Sequence, residues 1–390
     1  MEKLAIISTH PIQYNAPLFK LLAERKKLDI KVFYTWSQSQ DGTKYDPGFG
    51  KNIEWDIPLL DGYNFTFVEN VASDPGSHHF KGIQNPTLLT EITTWRAEAV
   101  LIYGWNFKSH LNALRFFKNK LPVLFRGDST LLDETVGIKR IMRRIFLRYV
   151  FSLVDTALYA GEANKQYFLA HGLLDNQLKF MPHAIDNDRY AGSETNKIAG
   201  RLIREKLGIP KEAFVFLFAG KLERKKQPHF LAEVFSQINN ENAYLLIVGN
   251  GNLEVDLKSS YSKNLQIKFL DFVNQTDMPA LYACCDVFVL PSKGPGETWG
   301  LSVNEAMAAG KAIIVSDACG CGYNLIKDGF NGFIFQKDNP EMLKKNLLYF
   351  ISNPANSIGM GDHSFNIIQE YCYEADCIAI ENILLKNELI

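Results

Sequence analysis

No stretch of this 390-residue chain approaches the ~20 consecutive apolar positions that a bilayer-spanning helix needs. The protein is therefore expected to be soluble, or peripheral to a membrane at most. The opening Met1–Ser8 has no basic leader ahead of a long apolar run, and Thr9, His10 and Pro11 close it, so no secretory signal is expected. Charge of one sign is missing as well: 42 Lys and Arg stand against 43 Asp and Glu, for a net charge of −1. Bulk nucleic-acid binding, which needs a basic field, is a poor fit. The six cysteines (Cys284, Cys285, Cys319, Cys321, Cys372 and Cys377) make no C-x-x-C pair, and histidine is scarce around them. That excludes an evident zinc site or disulfide framework and suits reduced, buried thiols in a cytoplasmic protein. A G-x-G-x-x-G turn is also absent after the first strand, where Thr9-His10-Pro11-Ile12-Gln13-Tyr14 stands instead, which argues against an NAD enzyme.

What the chain has in quantity is short, nearly continuous apolar runs. In the first half they are Leu4–Ser8, Lys31–Thr35, Val100–Tyr103, Val123–Phe125 and Ala157–Ala160. In the second half they are Val215–Ala219, Leu245–Val248, Ile267–Leu270, Val287–Leu290, Ala312–Ser316 and Gly332–Phe335. Strands apolar at every position are buried on both faces, which belongs to parallel sheets covered by helices. Helical spacing fills the intervals, as in Pro17–Arg25, Ser109–Asn119, Gln227–Ile238 and Leu301–Ala309. The fold class is α/β, with two doubly wound domains. The series pauses across the polar stretch Asp186–Lys211, and Gln38–Ser77 is expected to be loop and short strand.

One block carries most of the chemistry. The strand Val287–Leu290 ends at Pro291, a Gly-rich turn follows, and a helix begins near Gly300. The first backbone N–H groups of such a helix are unpaired and sit at the positive end of its dipole, which suits a phosphate. Glu297 lies in the turn and Glu305 in the second helical turn, so one carboxylate suits a sugar hydroxyl and the other a ribose diol. Taken alone, such a pair is equally a turn residue and a solvated helical one. Upstream, Lys221, Arg224, Lys225 and Lys226 directly follow the buried strand ending at Ala219-Gly220. A solvated basic loop is the plain alternative to a diphosphate cradle. Gly249-Asn250-Gly251 closes the next strand, and by itself is an ordinary strand–helix turn.

The spacing Glu297–Glu305 is the E-x7-E motif, and the whole block from Asp286 to Phe335 resembles the donor-binding half of family-4 glycosyltransferases with the GT-B fold. The matching pieces are Asp286-Val287-Phe288-Val289-Leu290-Pro291-Ser292, Glu297-x-x-Gly300-Leu301, Glu305-Ala306-Met307-Ala308-Ala309-Gly310-Lys311 and Asp328-Gly329-x-Asn331-Gly332, with Gly220-Lys221-Leu222 and Ile247-Val248-Gly249-Asn250-Gly251 upstream. The resemblance implies two Rossmann-like domains facing across a cleft, with the C-terminal helix returning to the first. It divides the chain into an acceptor domain at 1–187, a connection at 188–212, a donor domain at 213–363 and a helical tail at 364–390. It implies a retaining, hexosyltransferase-type enzyme that uses a nucleotide sugar, UDP- or GDP-linked, with no metal and no cofactor. Its acceptor is a saccharide or a lipid-linked hydroxyl of cell-surface polysaccharide or glycolipid assembly. Lys226 aligns with the family's diphosphate Lys, and Gly220, Lys221, Arg224, Gly249, Gly251, Glu297, Thr298, Trp299, Gly300, Leu301 and Glu305 fall in its donor site. A nucleotide-sugar epimerase of the same architecture and a non-catalytic nucleotide-sugar binder are the alternatives.

The first half is similar to a His-Pro-Ile-Gln-Tyr subgroup of bacterial glycosyltransferases, through His10-Pro11-Ile12-Gln13-Tyr14. His10 is either a group facing the ligand or a turn residue, and Gln13 and Tyr14 are candidate acceptor contacts. Where the family commonly carries a sugar-contacting His, this chain has Arg126-Gly127-Asp128-Ser129, so Arg126 and Asp128 are the candidate replacements. Tyr103 and Trp105 close another strand and either stack on a sugar or pack in the core. Finally, 138–149 places Lys139, Arg140, Arg143, Arg144 and Arg148 beside Ile138, Ile141, Met142, Ile145, Phe146 and Tyr149. On a helix this is amphipathic and cationic, suited to an anionic membrane surface. Alternatively its apolar side packs on the sheet and the basic residues are merely solvated; both hold if the basic residues alone meet lipid phosphate.

Overall fold

The computed structural model describes residues 1–36, 43–46, 50–132, 134 and 136–385. The part of the expected Gln38–Ser77 loop at 38–42 and 47–49 lies outside the described residues. The chain forms two compact units. One comprises Met1–Lys44, Ile57–Ala184 and Tyr373–Ile390; the other comprises Tyr45–Asp56 and Ile185–Cys372.

The first unit opens with β1 (Glu2–Ser8) and β2 (Leu28–Tyr34). A short pair, β3 (Thr43–Asp46) and β4 (Lys51–Glu54), follows as a separate two-stranded sheet. The chain then adds β5 (Asn64–Phe67), β6 (Ala99–Tyr103), β7 (Val123–Arg126), β8 (Thr156–Tyr159) and β9 (Leu178–Phe180). These make a seven-stranded sheet in the order β5-β2-β1-β6-β7-β8-β9, parallel at every pairing. Leu4, Ala5, Ile6 and Ile7 are fully buried, as continuous apolar strands covered on both faces must be. The edge strands β5 and β9 are the ones the apolar pattern misses: Asn64 and Phe65 are exposed, as are Lys179 and Phe180.

The C-terminal helix Tyr373–Leu384 belongs to this first unit, packing on helix Ala16–Glu24. Its buried Glu381 receives Arg25 Nε at 2.5 Å and Nη2 at 2.8 Å, with Lys27 Nζ at 3.0 Å. Such forked pairing is the geometry in which a buried carboxylate is tolerated. It holds the Glu381 pKa below the usual carboxylate range, chiefly through the Arg25 bonds.

Helix Ile138–Phe151 does not turn its apolar stripe inward. Leu147, Val150 and Phe151 bury, whereas Ile138 is 75% exposed, Met142 66% and Ile145 66%. Ile141, Phe146 and Tyr149 are exposed as well. Arg144 donates to Glu134 at 2.9 Å, and Lys139, Arg143 and Arg148 are exposed beside the stripe. The sheet-facing positions are the last turn's alone, so the expectation of a core-packed stripe fails over the first three turns.

The second unit carries β10 (Phe214–Ala219), β11 (Ala243–Val248), β12 (Ile267–Leu270), β13 (Val287–Leu290), β14 (Ala312–Ser316) and β15 (Gly332–Phe335). They form a parallel six-stranded sheet ordered β12-β11-β10-β13-β14-β15. Residues 188–212 cluster with this second unit. Helix Glu194–Lys206 brings Gly200 so near helix Met278–Ala283 that a Cβ would lie 2.9 Å from the Ala283 carbonyl carbon. Arg204 then reaches Cys284 O at 2.8 Å and Asp286 Oδ2 at 3.0 Å.

Inside the first unit, His110 is fully buried, with Nδ1 2.9 Å from Tyr103 O and Nε2 2.9 Å from Thr35 Oγ1. Burial pushes its pKa down from 6.5 to about 4. Below pH 6.5 the unfolded chain takes up a proton that folded His110 refuses, so this contribution to stability is lost as pH falls toward 4. Between pH 7 and pH 5 the loss is ~2 kcal/mol. Urea unfolding at the two pH values should show His110→Gln with a pH dependence shallower by that amount.

Candidate active site

In the second sheet the chain leaves β10 toward β11 on one side, while β13 pairs with β10 on the other. Strand order reverses there, so the loops after β10 and β13 part at their carboxyl ends and leave the crevice where doubly wound folds bind ligands. Backbone hydrogen bonds hold the loops together: Leu222 N donates to Asn250 O at 2.9 Å, and Lys293 N to Lys225 O at 2.8 Å. Gly249, with φ of +127°, lies so close to this loop that a Cβ would sit 2.1 Å from Gly220 O. Gly249 and Gly251 thus allow two loops to stack at the carboxyl edge.

Lys226 and Glu297, from the loops after β10 and β13, meet in this crevice. Lys226 Nζ lies 2.5 Å from Glu297 Oε2, and both side chains are largely buried. Ser292 Oγ donates to the same carboxylate oxygen at 2.9 Å. The other basic residues of the loop are arranged differently. Arg224 is exposed, Lys221 is half-buried, and Lys225 pairs with Glu223 at 3.4 Å. Beyond Thr298 and Trp299, Gly300 turns the chain with φ of +105° into helix Leu301–Ala308. A Cβ at Gly300 would press on Leu290 Cδ2 at 2.9 Å. The helix's first amides open beside Glu297, a ready place for an anion. Trp299 is buried and donates from Nε1 to Asn304 Oδ1 at 2.8 Å, so its indole braces the helix start.

Glu305 lies one turn further along the same helix, 2% exposed. Tyr282 OH donates to its Oε2 at 2.7 Å, and Tyr190 OH lies 3.0 Å from Oε1. A carboxyl group this buried needs polar partners in place of water, and two tyrosine hydroxyls stand at its two oxygens. The Cys319 thiol is pushed up to about 12, first by burial and then by the Glu297 charge. It is therefore a protonated packing group and no nucleophile at neutral pH. Ser292 ends a matched motif piece that assigns it no role, whereas Tyr190 and Tyr282 are participants that sequence motifs do not announce. The tyrosines come from elements 115 and 23 residues away from Glu305, with no local spacing to reveal them.

The first unit's candidates line the carboxyl edge of its sheet. His10 follows β1, its ring edge-on to Trp36 at 5.4 Å and Nδ1 3.0 Å from Thr9 Oγ1. Gln13 and Tyr14 are half-buried in the turn before helix Ala16–Glu24. Arg126 is buried, and its guanidinium donates to the carbonyls of Leu158, Met181 and Pro182. It therefore clamps the ends of β8 and β9. Asp128 is exposed, and its charge partly offsets the burial and Arg126 field that hold the His183 pKa down. Tyr103 packs edge-on to Phe19 at 5.9 Å, and Trp105 edge-on to Phe146 at 5.4 Å. Asp74, His78 and His79 also bring ligand-capable atoms within 4.8 Å of one another on the surface, in a constellation no sequence spacing suggests.

Known proteins resemble this chain in sequence and in fold. Residues 201–363 match the family model described as Glycosyl transferases group 1. The UDP-Gal:alpha-D-GlcNAc-diphosphoundecaprenol alpha-1,3-galactosyltransferase of Escherichia coli is 32% identical over 166 residues, 41% of each chain. The alpha-monoglucosyldiacylglycerol synthase of Acholeplasma laidlawii is 28% identical over 266 residues, 61% of this chain and 62% of its own. The matches span between 36% and 62% of the length of these first curated relatives. Among solved structures, Anabaena Alr3699/HepE in complex with UDP superposes with a TM-score of 0.74 over 99% of this chain and 100% of its own, at 18% identity. The second unit therefore carries a domain of the Glycosyl transferases group 1 type, in a chain whose two parallel-sheet units have the GT-B fold.

Proposed function

We propose that the protein is a retaining, metal-independent glycosyltransferase moving a hexosyl unit from a nucleoside diphosphate sugar to a hydroxyl acceptor. The observation that carries this reading is the Lys226–Glu297 pair, set at the strand-order reversal beside the start of helix Leu301–Ala308. Lys226 and the first helical amides neutralise the diphosphate as the sugar C1–O bond to it breaks, where charge develops most. Glu297 accepts from sugar hydroxyls and Glu305 from the ribose diol. The acceptor oxygen bonds C1 on the face the leaving group vacates, and its proton passes to a phosphate oxygen. His10 and Asp128 are the first unit's candidate contacts to the sugar. The donor is UDP- or GDP-linked. UDP is favoured by a relative named for UDP-Gal and by the complex of Anabaena Alr3699/HepE with UDP-glucose.

The acceptor is a lipid-linked or surface saccharide, and the site of action the cytoplasmic face of a membrane. Among the described residues no helix is long and apolar enough to cross a bilayer. Helix Ile138–Phe151 instead offers exposed Ile138, Ile141, Met142 and Ile145 flanked by Lys139, Arg143 and Arg148. Apolar side chains left in water amid cations suit the boundary of an anionic leaflet.

Three outcomes are expected. Glu305→Ala and Lys226→Ala should each weaken nucleotide binding or transfer at least about tenfold, since a charge-assisted contact is worth ~1.5–3 kcal/mol; unchanged affinity and turnover in both would overturn the assignment. Transfer, followed as nucleotide release from a panel of UDP- and GDP-sugars, should persist in EDTA; loss with chelator and recovery with Mg²⁺ or Mn²⁺ refutes metal independence. Co-sedimentation with phosphatidylglycerol vesicles should fall with salt and disappear in Ile141→Ser/Ile145→Ser; a wild type that ignores such vesicles at low salt removes the membrane from this account.

A further inference from the structure

A short piece of the chain's first half belongs to the second unit. Tyr45–Asp56 clusters with Ile185–Cys372, although Lys44 and Ile57 on either side of it belong to the first unit. Its last three residues fasten to the loop that follows β12. Glu54 O accepts from Asn274 Nδ2 at 2.6 Å, and the Trp55 ring lies edge-on to Phe272 at 6.3 Å. The Asp56 carboxylate accepts from Thr276 N at 3.1 Å and from the Thr276 hydroxyl. Three residues of that loop, Phe272, Asn274 and Thr276, are thus held or flanked by the segment, and Gln275 sits between the last two.

The loop leads in two directions. Phe272 N donates to Asn250 Oδ1 at 2.9 Å, which ties the loop to the turn after β11. Asn274 Oδ1 accepts from Gln275 N at 2.9 Å, and the buried Gln275 Oε1 lies 3.1 Å from Tyr190 OH. The same tyrosine hydroxyl lies 3.0 Å from Glu305 Oε1. The one proton of Tyr190 is shared between two acceptors, so any displacement of Gln275 changes what Glu305 receives. In a site this poorly hydrated, the aim of a carboxylate depends on such partners.

We propose that Asp56 is a positioning residue for the nucleotide site. It holds Thr276 and, through Gln275 and Tyr190, sets the Glu305 carboxylate for the ribose. This rests on the proposed assignment of Glu305 to the donor. Asp56 touches no reacting atom, so its removal is expected to loosen donor binding and spare the chemical step. A segment that merely stabilised the fold would shift unfolding without separating those two quantities.

The test measures UDP and GDP affinity by calorimetry, kcat at saturating donor, and amide hydrogen exchange across 272–277 in the wild type, Asp56→Ala and Asp56→Asn. Asp56→Ala should speed exchange at Thr276, raise the nucleotide Kd about threefold to tenfold and leave kcat within about twofold. Asp56→Asn, which keeps an acceptor for the Thr276 amide, should recover most of the affinity. Tyr190→Phe combined with Asp56→Ala should weaken binding by less than the product of the single effects, because both act through one hydroxyl. Faster exchange at Thr276 with an unchanged Kd overturns the positioning role while leaving the glycosyltransferase reading intact. A wild type that binds neither nucleotide overturns that reading, and the role of Asp56 with it.

Discussion

The ion pair between Lys226 and Glu297 is the contact around which the second unit is organised. A charged group removed from water is costly unless an opposite charge and further donors meet it. Here the ammonium comes from the loop after β10 and the carboxylate from the loop after β13, with Ser292 adding a hydroxyl. The two loops can supply both because β13 crosses over to lie beside β10. The bond from Lys293 N to Lys225 O then fixes their spacing. Moving either loop strands a buried charge, so the pair demands the strand order as much as the strand order permits the pair.

Much of this was legible in the residues, for a definite reason. Strands buried on both faces must be apolar almost throughout, and the interior strands β10, β11, β13 and β14 show that signature within a residue or two of their observed bounds. The strands that escape the pattern lie on edges. β5 and β9 each have a side turned to water, which licenses Asn64 and Lys179 and hides them among loops. The E-x7-E spacing singles out two candidate carboxylates, Glu297 and Glu305, that share one strand–turn–helix unit, because such a unit is local. What Glu305 leans on was not legible, since Tyr190 and Tyr282 reach it from elsewhere in the chain.

Arg126 shows the same limit from the other side. Its place at a strand end among Gly, Asp and Ser suits a ligand contact. The structure has its guanidinium on three backbone carbonyls at the ends of β8 and β9. A planar fork of donors answers carbonyls left over at strand ends as readily as it answers a carboxylate, and sequence cannot separate the two uses. Helix Ile138–Phe151 is the converse. Its periodicity describes an amphipathic helix correctly, yet periodicity carries no information about which face the sheet receives.

The same pairing bears on how a donor would be met. Lys226 and Glu297 are each other's counter-charge in the crevice, 2.5 Å apart. In the proposed reaction an incoming diphosphate competes for Lys226 while sugar hydroxyls take over Glu297, and the two exchanges offset each other in charge. What is gained is position. The helix amides after Gly300 and the Glu305 carboxylate are already oriented, by Trp299 on Asn304 and by the two tyrosine hydroxyls. Groups held in place before the ligand arrives do not have to reorganise as the leaving phosphate gains charge, and that is where fixed dipoles act most strongly. The buried polar contacts around the site, expensive as elements of a core, make sense as the frame that keeps those donors and acceptors aimed.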